Sequence, residues 1–507
     1  MSIQLAKLCS IIFERHFGKN VQIVGDCLFA AIQSRSLSMI VKNTGLPRSD
    51  VAHALAILIK FRLVKFEASA NESFAEYSLN RDAILLILRF PRYVHLIQTK
   101  FGMVAAALVE ELLRSGSQTA SKLIAHCFDS KTKTSLTEHR DAFNELCQSM
   151  YVFRAPVVAN KEQENVGVPR LQIDEHNLFT TVDLDLNEIT KLKEDSTVVT
   201  KDKDVYWMVN TDRFHQEFRD ELILSAVERK INPSASEVMK HILHQMYLRT
   251  KPWEPSSNPI PFVEIRQLVE KESSNLELIK YLDQYVSIIM DDQLKFLAKY
   301  GDMGGGQYVV QMKYAVEQLT WVCIENIITE KFGSKASRIF RVVRLRKFSE
   351  QEDIQKEAMV PSKEAKLFTY KLLEEHFLQT KTVRKPGGGG TGMAKSFFLF
   401  YVSQTQIVSM LLEICYKALF NSMTRSAYNK SENRRLIDKS QRLDGIVEAM
   451  KDRGESEEYI AEIHETLTPP EREVLQKVKT RIKNLDSAEI GLDETIFLFQ
   501  LYENYKN

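Results

Sequence analysis

Residues 384–403 read RKPGGGGTGMAKSFFLFYVS, with four consecutive glycines, a fifth at Gly392, and then Lys395 and Ser396. Glycines ahead of a lysine and a hydroxyl residue are the ingredients of a phosphate-binding loop. Such a loop has the spacing G-x-x-x-x-G-K-[ST], follows a buried strand and opens a helix, so that backbone N–H groups face the anion. Here Met393 and Ala394 separate Gly392 from Lys395, and the preceding QTKTVRKP is polar and ends in Pro386. Phe397 to Val402 are six large apolar residues in a row, which reads as a strand. Strand, glycine turn, strand describes a hairpin tip rather than a nucleotide site.

Other chemistry is equally sparse. His241 and His244 stand three apart, but no second ligand pair is near them in sequence. Cys9, Cys27, Cys127, Cys147, Cys323 and Cys415 are scattered without a C-x-x-C, as reduced core residues of an intracellular protein would be. There is no G-x-S-x-G and no H-E-x-x-H. The sequence therefore predicts no catalytic residues, no cofactor and no metal.

The residues best suited to contact an anion are basic. SRIFRVVRLRK carries Arg338, Arg341, Arg344, Arg346 and Lys347, the first three recurring every third position along a helix edge. The glycine hairpin adds Arg384, Lys385 and Lys395. Two readings stand: a patch for nucleic acid or another anionic partner, or solvated arginines facing the acidic SEQEDIQKE that follows. ENRRLIDKSQR, further on, reads as a solvated helix face.

The elements that position these residues repeat. A helix, PSKEAKLFTYKLLEEHF, precedes the glycine hairpin, with Ala365, Phe368 and Leu372 on one side. NLELIKYLDQYVSIIM, with Leu278, Leu282, Tyr285 and Ile289 aligned, leads to LKFLAKY, the turn GDMGGG and QYVVQM. PRSDVAHALAILIKFRL aligns Val51, Leu55 and Leu58, and leads to VKFEA, a polar tip and FAEYSL. LTEHRDAFNELCQSM aligns Phe143, Leu146 and Met150, and leads to YVFRAPVV and a long polar tip. Three helical stretches followed by a two-stranded hairpin make a winged helix. In the first copy Gly45 suits the end of the second helix and Pro47 the start of the third. The chain thus reads as mainly α with small β-wings: winged helices over 1–80, 81–190, 200–312 and 313–403.

Residues 404–507 change character. A long helix with a polar middle runs to Gly454, and Thr468, Pro469 and Glu471 form a capped restart. Beyond it Leu475, Val478, Ile482, Leu485, Leu492, Ile496 and Phe499 follow three- and four-residue steps, broken only by Glu489. This predicts an antiparallel coiled-coil hairpin whose docking seam is Leu475, Val478, Ile482 and Leu485.

The 507 residues carry 68 lysines and arginines against 67 acids, a net charge of +1. Chains that hold nucleic acid chiefly through their own phosphate contacts are usually clearly basic. None of the four third helices shows a basic reading face: Arg48, His53 and Lys60 in the first, and Lys363, Lys366 and Lys371 offset by Glu364, Glu374 and Glu375 in the fourth. DNA contact is expected to be weak and without strong sequence preference. No apolar run approaches the ~20 residues that span a bilayer, and no membrane association is expected.

The opening LAKLCSIIFERHFG, the box LRFPRY (Leu88 to Tyr93), the four winged helices and the C-terminal hairpin together resemble one family, over essentially the whole chain. It is subunit three of RNA polymerase III, the large winged-helix member of that enzyme's initiation heterotrimer, related to the large subunit of general factor IIE. The resemblance implies a nuclear, non-catalytic subunit. Its expected partners are the two other heterotrimer subunits, the clamp of the largest subunit, and promoter DNA. It is expected to help the enzyme engage its initiation factor and open promoter DNA for transcription of small structured RNAs. The other reading is a winged-helix interaction scaffold of a different large complex.

Overall fold

The structure is a computed structural model that describes every residue except 1, 32, 70–73, 129–134, 159–167, 195–199, 274, 293, 385–395, 454–465, 467 and 507. The phosphate-loop glycines, Lys385, Lys395 and Gly454 lie outside the described residues. The chain forms two compact units, residues 1–215 with 416–493, and residues 216–415 with 494–507.

Each unit holds two winged helices, and all four follow one plan: a lead helix, three further helical stretches and a small antiparallel sheet. In the first, the helices Lys19–Phe29, Leu37–Thr44 and Arg48–Lys60 precede a wing of Val64–Ala68 and Ala75–Leu79. Gly45 ends the middle helix at φ 68°, where a side chain would be strained. Pro47 caps the third from outside rather than opening it. Val51, Leu55 and Leu58 are buried, as their spacing predicts.

A third strand completes the sheets and was not legible in the sequence, because it is at most two residues long. Arg35–Ser36 pairs with the returning wing strand in the first winged helix, and Gln118–Thr119 and Ile260–Pro261 do so in the second and third. A single bridge from Ser349 to Phe400 serves the fourth.

The second winged helix returns late. Its wing strand Val152–Arg154 pairs with Tyr206–Val209, about fifty residues on. That strand lies within 200–312, the span expected for the third winged helix; its pairing with 118–119 and 152–154 puts it in the second. Met150 differs too. It stands at φ 63° past the end of its helix and is 47% exposed, while Phe143 and Leu146 are buried. In the third copy Tyr281 breaks the predicted helix into Leu276–Lys280 and Leu282–Asp291, and Tyr285 is only half-buried.

Two features recur among the winged helices. Lead helix and first helix join at a glycine preceded by phenylalanine: Phe17-Gly18, Phe101-Gly102 and Phe332-Gly333, at φ 89°, 87° and 86°. Their ψ values of 175°, −176° and 170° put them in a region that essentially only glycine adopts. The third copy has Ile231-Asn232 there, and Asn232 is extended. Each of these phenylalanines packs edge-on against an aromatic that follows the third helix: Phe17 on Phe61, Phe101 on Tyr151 and Phe332 on Phe377, with centroids 5.0, 5.6 and 5.9 Å apart. The second feature is a non-glycine residue at positive φ two or three positions ahead of each wing: Arg62, Met150, Lys295 and His376. It turns the next residue inward, and Leu63, Tyr151, Phe296 and Phe377 are all buried.

The C-terminal helices are Gln404–Glu432, Arg434–Asp452 and Pro469–Lys506. The predicted single helix thus breaks in its polar middle at Asn433, whose amide donates to the Asn429 carbonyl. The Thr468 N–H donates to the Glu471 carboxylate, half of the expected capping box. Within the first unit, Ser422 Oγ reaches the Leu485 carbonyl and Lys439 pairs with Glu471 at 2.8 Å. Positions rising along one arm meet positions falling along the other, so the hairpin is antiparallel.

Candidate functional site

The arginine helix Ser334–Arg346 is the first helix of the fourth winged helix, and Ala336, Ile339, Phe340 and Val343 bury one face of it. The arginines between them find acids within the same unit. Glu325, on the lead helix Met312–Phe332, accepts from Arg341 at 2.8 Å and from Arg344 at 2.7 Å. The Arg344 guanidinium also lies over the Trp321 ring, 4.6 Å from its centroid. Arg346 pairs with Asp353 and Glu357, in the acidic stretch that follows. Arg338 donates to the Ala358 carbonyl at 3.4 Å. Lys347 is exposed at φ 66° without a charge partner among the described residues. Sequence reasoning found the partner stretch of Arg346 but not Glu325, which serves two arginines from a neighbouring helix. Arg384 lies on the wing strand Gln379–Arg384, paired with Ser396–Tyr401.

Of the docking seam, Leu475 and Val478 are buried, while Ile482 and Leu485 are half-buried. Glu489, which breaks the apolar series, accepts from Arg15 on the N-terminal helix at 3.2 Å.

LRFPRY builds a buried ionic cluster in the first unit. Pro91 sits in the first turn of the helix that starts at Phe90, and Arg89, just ahead of it, points inward. Arg89 is 1% exposed, and its Nε donates to both Asp493 oxygens, at 2.9 and 3.3 Å. Arg92 Nη1 adds a third contact to Asp493, at 3.3 Å. Tyr93 Oη and His215 Nε2 hydrogen-bond at 2.8 Å. Burial, together with the charges of Arg89 and Arg92, pushes the His215 imidazole down to about 3, so it is neutral and cannot add a third positive charge.

The second unit has a counterpart. Arg219 is 1% exposed and donates to Asp220, Tyr247 Oη and Tyr505 Oη, with the Trp253 ring 5.1 Å away. Burial disfavours its charge, but Asp220, Tyr247 and Tyr505 outweigh that and hold its pKa above the usual range. Asp493 and Tyr505 both lie on the last helix, which therefore meets one buried arginine in each unit.

Among the described residues no three His, Cys, Asp or Glu side chains are grouped to hold a metal ion. His241 Nδ1 instead meets Glu272 at 3.3 Å. A pocket of about 620 Å³ in the second unit is lined mainly by apolar side chains, including Leu222, Val322, Ile327 and Leu498. Asn326, Glu330 and Lys331 also line it. No helix of the described residues is long and apolar enough to cross a membrane.

Four winged helices in series, buried ionic clusters that tie the chain to itself and a helical hairpin define a tandem winged-helix protein. Family models agree along its length. "RNA polymerase III subunit RPC82 helix-turn-helix domain" matches residues 7–69, and "RNA polymerase III subunit RPC82" matches 141–319. "POLR3C, C-terminal winged-helix domain" matches 324–402, and "DNA-directed RNA polymerase III subunit RPC3, helical hairpin domain" matches 435–498. Curated proteins named DNA-directed RNA polymerase III subunit RPC3 are similar over almost the full chain. The Rattus norvegicus protein is 33% identical, covering 98% of this chain and 97% of its own length. The Homo sapiens protein is 32% identical with the same coverage, and that of Danio rerio is 30% identical, covering 99% of each. The chain belongs to the RNA polymerase III subunit RPC3 family.

Proposed function

We propose that this chain is a non-catalytic subunit of RNA polymerase III that works in the nucleus at the initiation step. In this reading it joins two further subunits in a heterotrimer seated on the clamp of the largest subunit. There it helps the enzyme engage its initiation factor and open promoter DNA. Similarity to RPC3 proteins along 98% of the chain carries the proposal. The near-neutral charge and the weakly charged third helices support winged helices used mainly for protein contact.

Under this proposal the Leu475, Val478, Ile482 and Leu485 seam keeps the hairpin in the shape that docks. Arg338, Arg341, Arg344, Arg346, Lys347 and the fourth-wing residues Arg384, Lys385 and Lys395 are at most minor DNA contacts. The direct test is purification of the tagged chain from its own cells. Polymerase III subunits should accompany it in stoichiometric amount; a different large complex in their place would support the scaffold reading instead.

A further inference from the structure

We infer that the outer half of the C-terminal hairpin is a surface for the phosphate backbone of duplex DNA. The inference rests on the polymerase-subunit reading only for the identity of the polyanion as DNA. Residues 425–444 and 471–483 carry eleven basic side chains and five acidic ones. Their net charge is +6 against +1 for the whole chain, which leaves −5 for everything else. All eleven except Lys439 are exposed.

The contrast with the arginine helix decides between the two basic regions. There Arg341, Arg344 and Arg346 each have a carboxylate within the same unit. On the hairpin, Lys439 is tied to Glu471 and Lys479 to Ser440, contacts that hold the arms together. Arg434 and Lys477 reach acids at 3.7 and 3.8 Å from side chains that are 81% and 69% exposed, pairs worth little in water. Arg435, Arg442, Arg481 and Lys483 have no carboxylate partner among the described residues.

The spacing suits a linear array of charges. Arg435 and Arg442 are seven residues apart, two helical turns, and so share a face roughly 10 Å apart. Arg472, Lys479 and Lys483 follow one edge of the last helix at steps of seven and four. A protein partner would need apolar anchors, and these two segments expose only Tyr428 and Val474 among large apolar side chains. Phosphates need no such anchor, and binding driven by them is independent of sequence.

The test is the affinity of the full chain for a labelled random-sequence DNA duplex, measured against potassium chloride concentration. Arg435→Gln with Arg442→Gln, and Arg481→Gln with Lys483→Gln, remove exposed charge while keeping helix-compatible side chains. Circular dichroism checks that they fold as the wild type does. Each lost contact should lower the slope of log affinity against log salt by about one, and Arg341→Gln with Arg344→Gln should leave it nearly unchanged. Unchanged slopes in both hairpin variants would overturn the inference, as would a wild type that fails to bind duplex at low salt. Loss of an acidic polymerase subunit from the variants, with the slope intact, would make the surface a protein contact and equally overturn it. None of these outcomes touches the polymerase assignment, which co-purification of the wild type decides separately.

Discussion

Asp493→Ala should be among the most damaging single changes outside the apolar core. Asp493 is 2% exposed and accepts from Arg89, itself 1% exposed, and from the partly buried Arg92. Removing the carboxylate leaves two like charges facing each other, one of them out of reach of water. Breaking one side of a buried ion pair costs about 3–5 kcal/mol. Asp493→Asn loses the charge and turns one of the two accepting oxygens into an N–H donor but keeps the other as an acceptor, so it should cost roughly 1.5–3 kcal/mol, the range of a hydrogen bond to a charged group. Replacing both buried partners, Arg89→Met with Asp493→Leu, should recover much of the loss, because matched apolar groups often substitute for a buried pair at little cost. Hydrogen exchange read at residues 490–500 reports the local opening free energy of the last helix. The order should be wild type, then double variant, then Asn, then Ala. If Asp493→Ala protects these amides within 1 kcal/mol of wild type, Arg89 is not held as a buried ion and the cluster does not anchor the helix.

Three further outcomes are expected. His215 is held neutral with a pKa lowered to about 3, so the unfolded chain binds the extra proton between there and about 6.5. Stability from this group is complete above about 6.5 and is lost as pH falls through that window, by about 1.4 kcal/mol per pH unit; urea titrations of His215→Gln should show a correspondingly flatter acid limb. Gly18→Ala, Gly102→Ala and Gly333→Ala meet no atom within 4 Å, yet each should cost about 1–3 kcal/mol from backbone strain alone in thermal melts; wild-type stability at all three would refute the conformational argument. Val478→Asp with Ile482→Asp places charge in the hairpin seam at a cost of several kcal/mol, and the polymerase should then purify without this chain. Normal co-purification would show that the hairpin is not the docking element.

The sequence exposed what is periodic and local. Third helices and wings were readable because residues such as Val51, Leu55 and Leu58 sit a turn apart and the strands follow at once. The return strand Tyr206–Val209 was missed because about fifty residues intervene, so nothing local tied YWMV to VFR. The two-residue third strands were too short for any pattern. The opening LAKLCSIIFERHFG carries part of the family resemblance, but its closing step HFG recurs as KFG at 100–102 and 331–333; comparing the joints ahead of each first helix reveals it. Arg89 and Asp493 stand 404 positions apart, and no spacing rule links them. For the arginine helix, charge sequence pointed to SEQEDIQKE, whereas packing brought Glu325 from the preceding helix. Side-chain partners across a helix pair depend on the crossing, which composition does not encode.

Under the proposed function this chain serves initiation and not polymerisation. The direct measurement is transcription by RNA polymerase III stripped of the chain, on two templates that differ only in whether the DNA is already open. The stripped enzyme should extend RNA on the pre-opened template at close to the normal rate, fail on a closed promoter with its initiation factor, and recover when the chain and its two heterotrimer partners are added back. Equal loss on both templates would contradict the account, because it would place this chain in the chemistry of elongation.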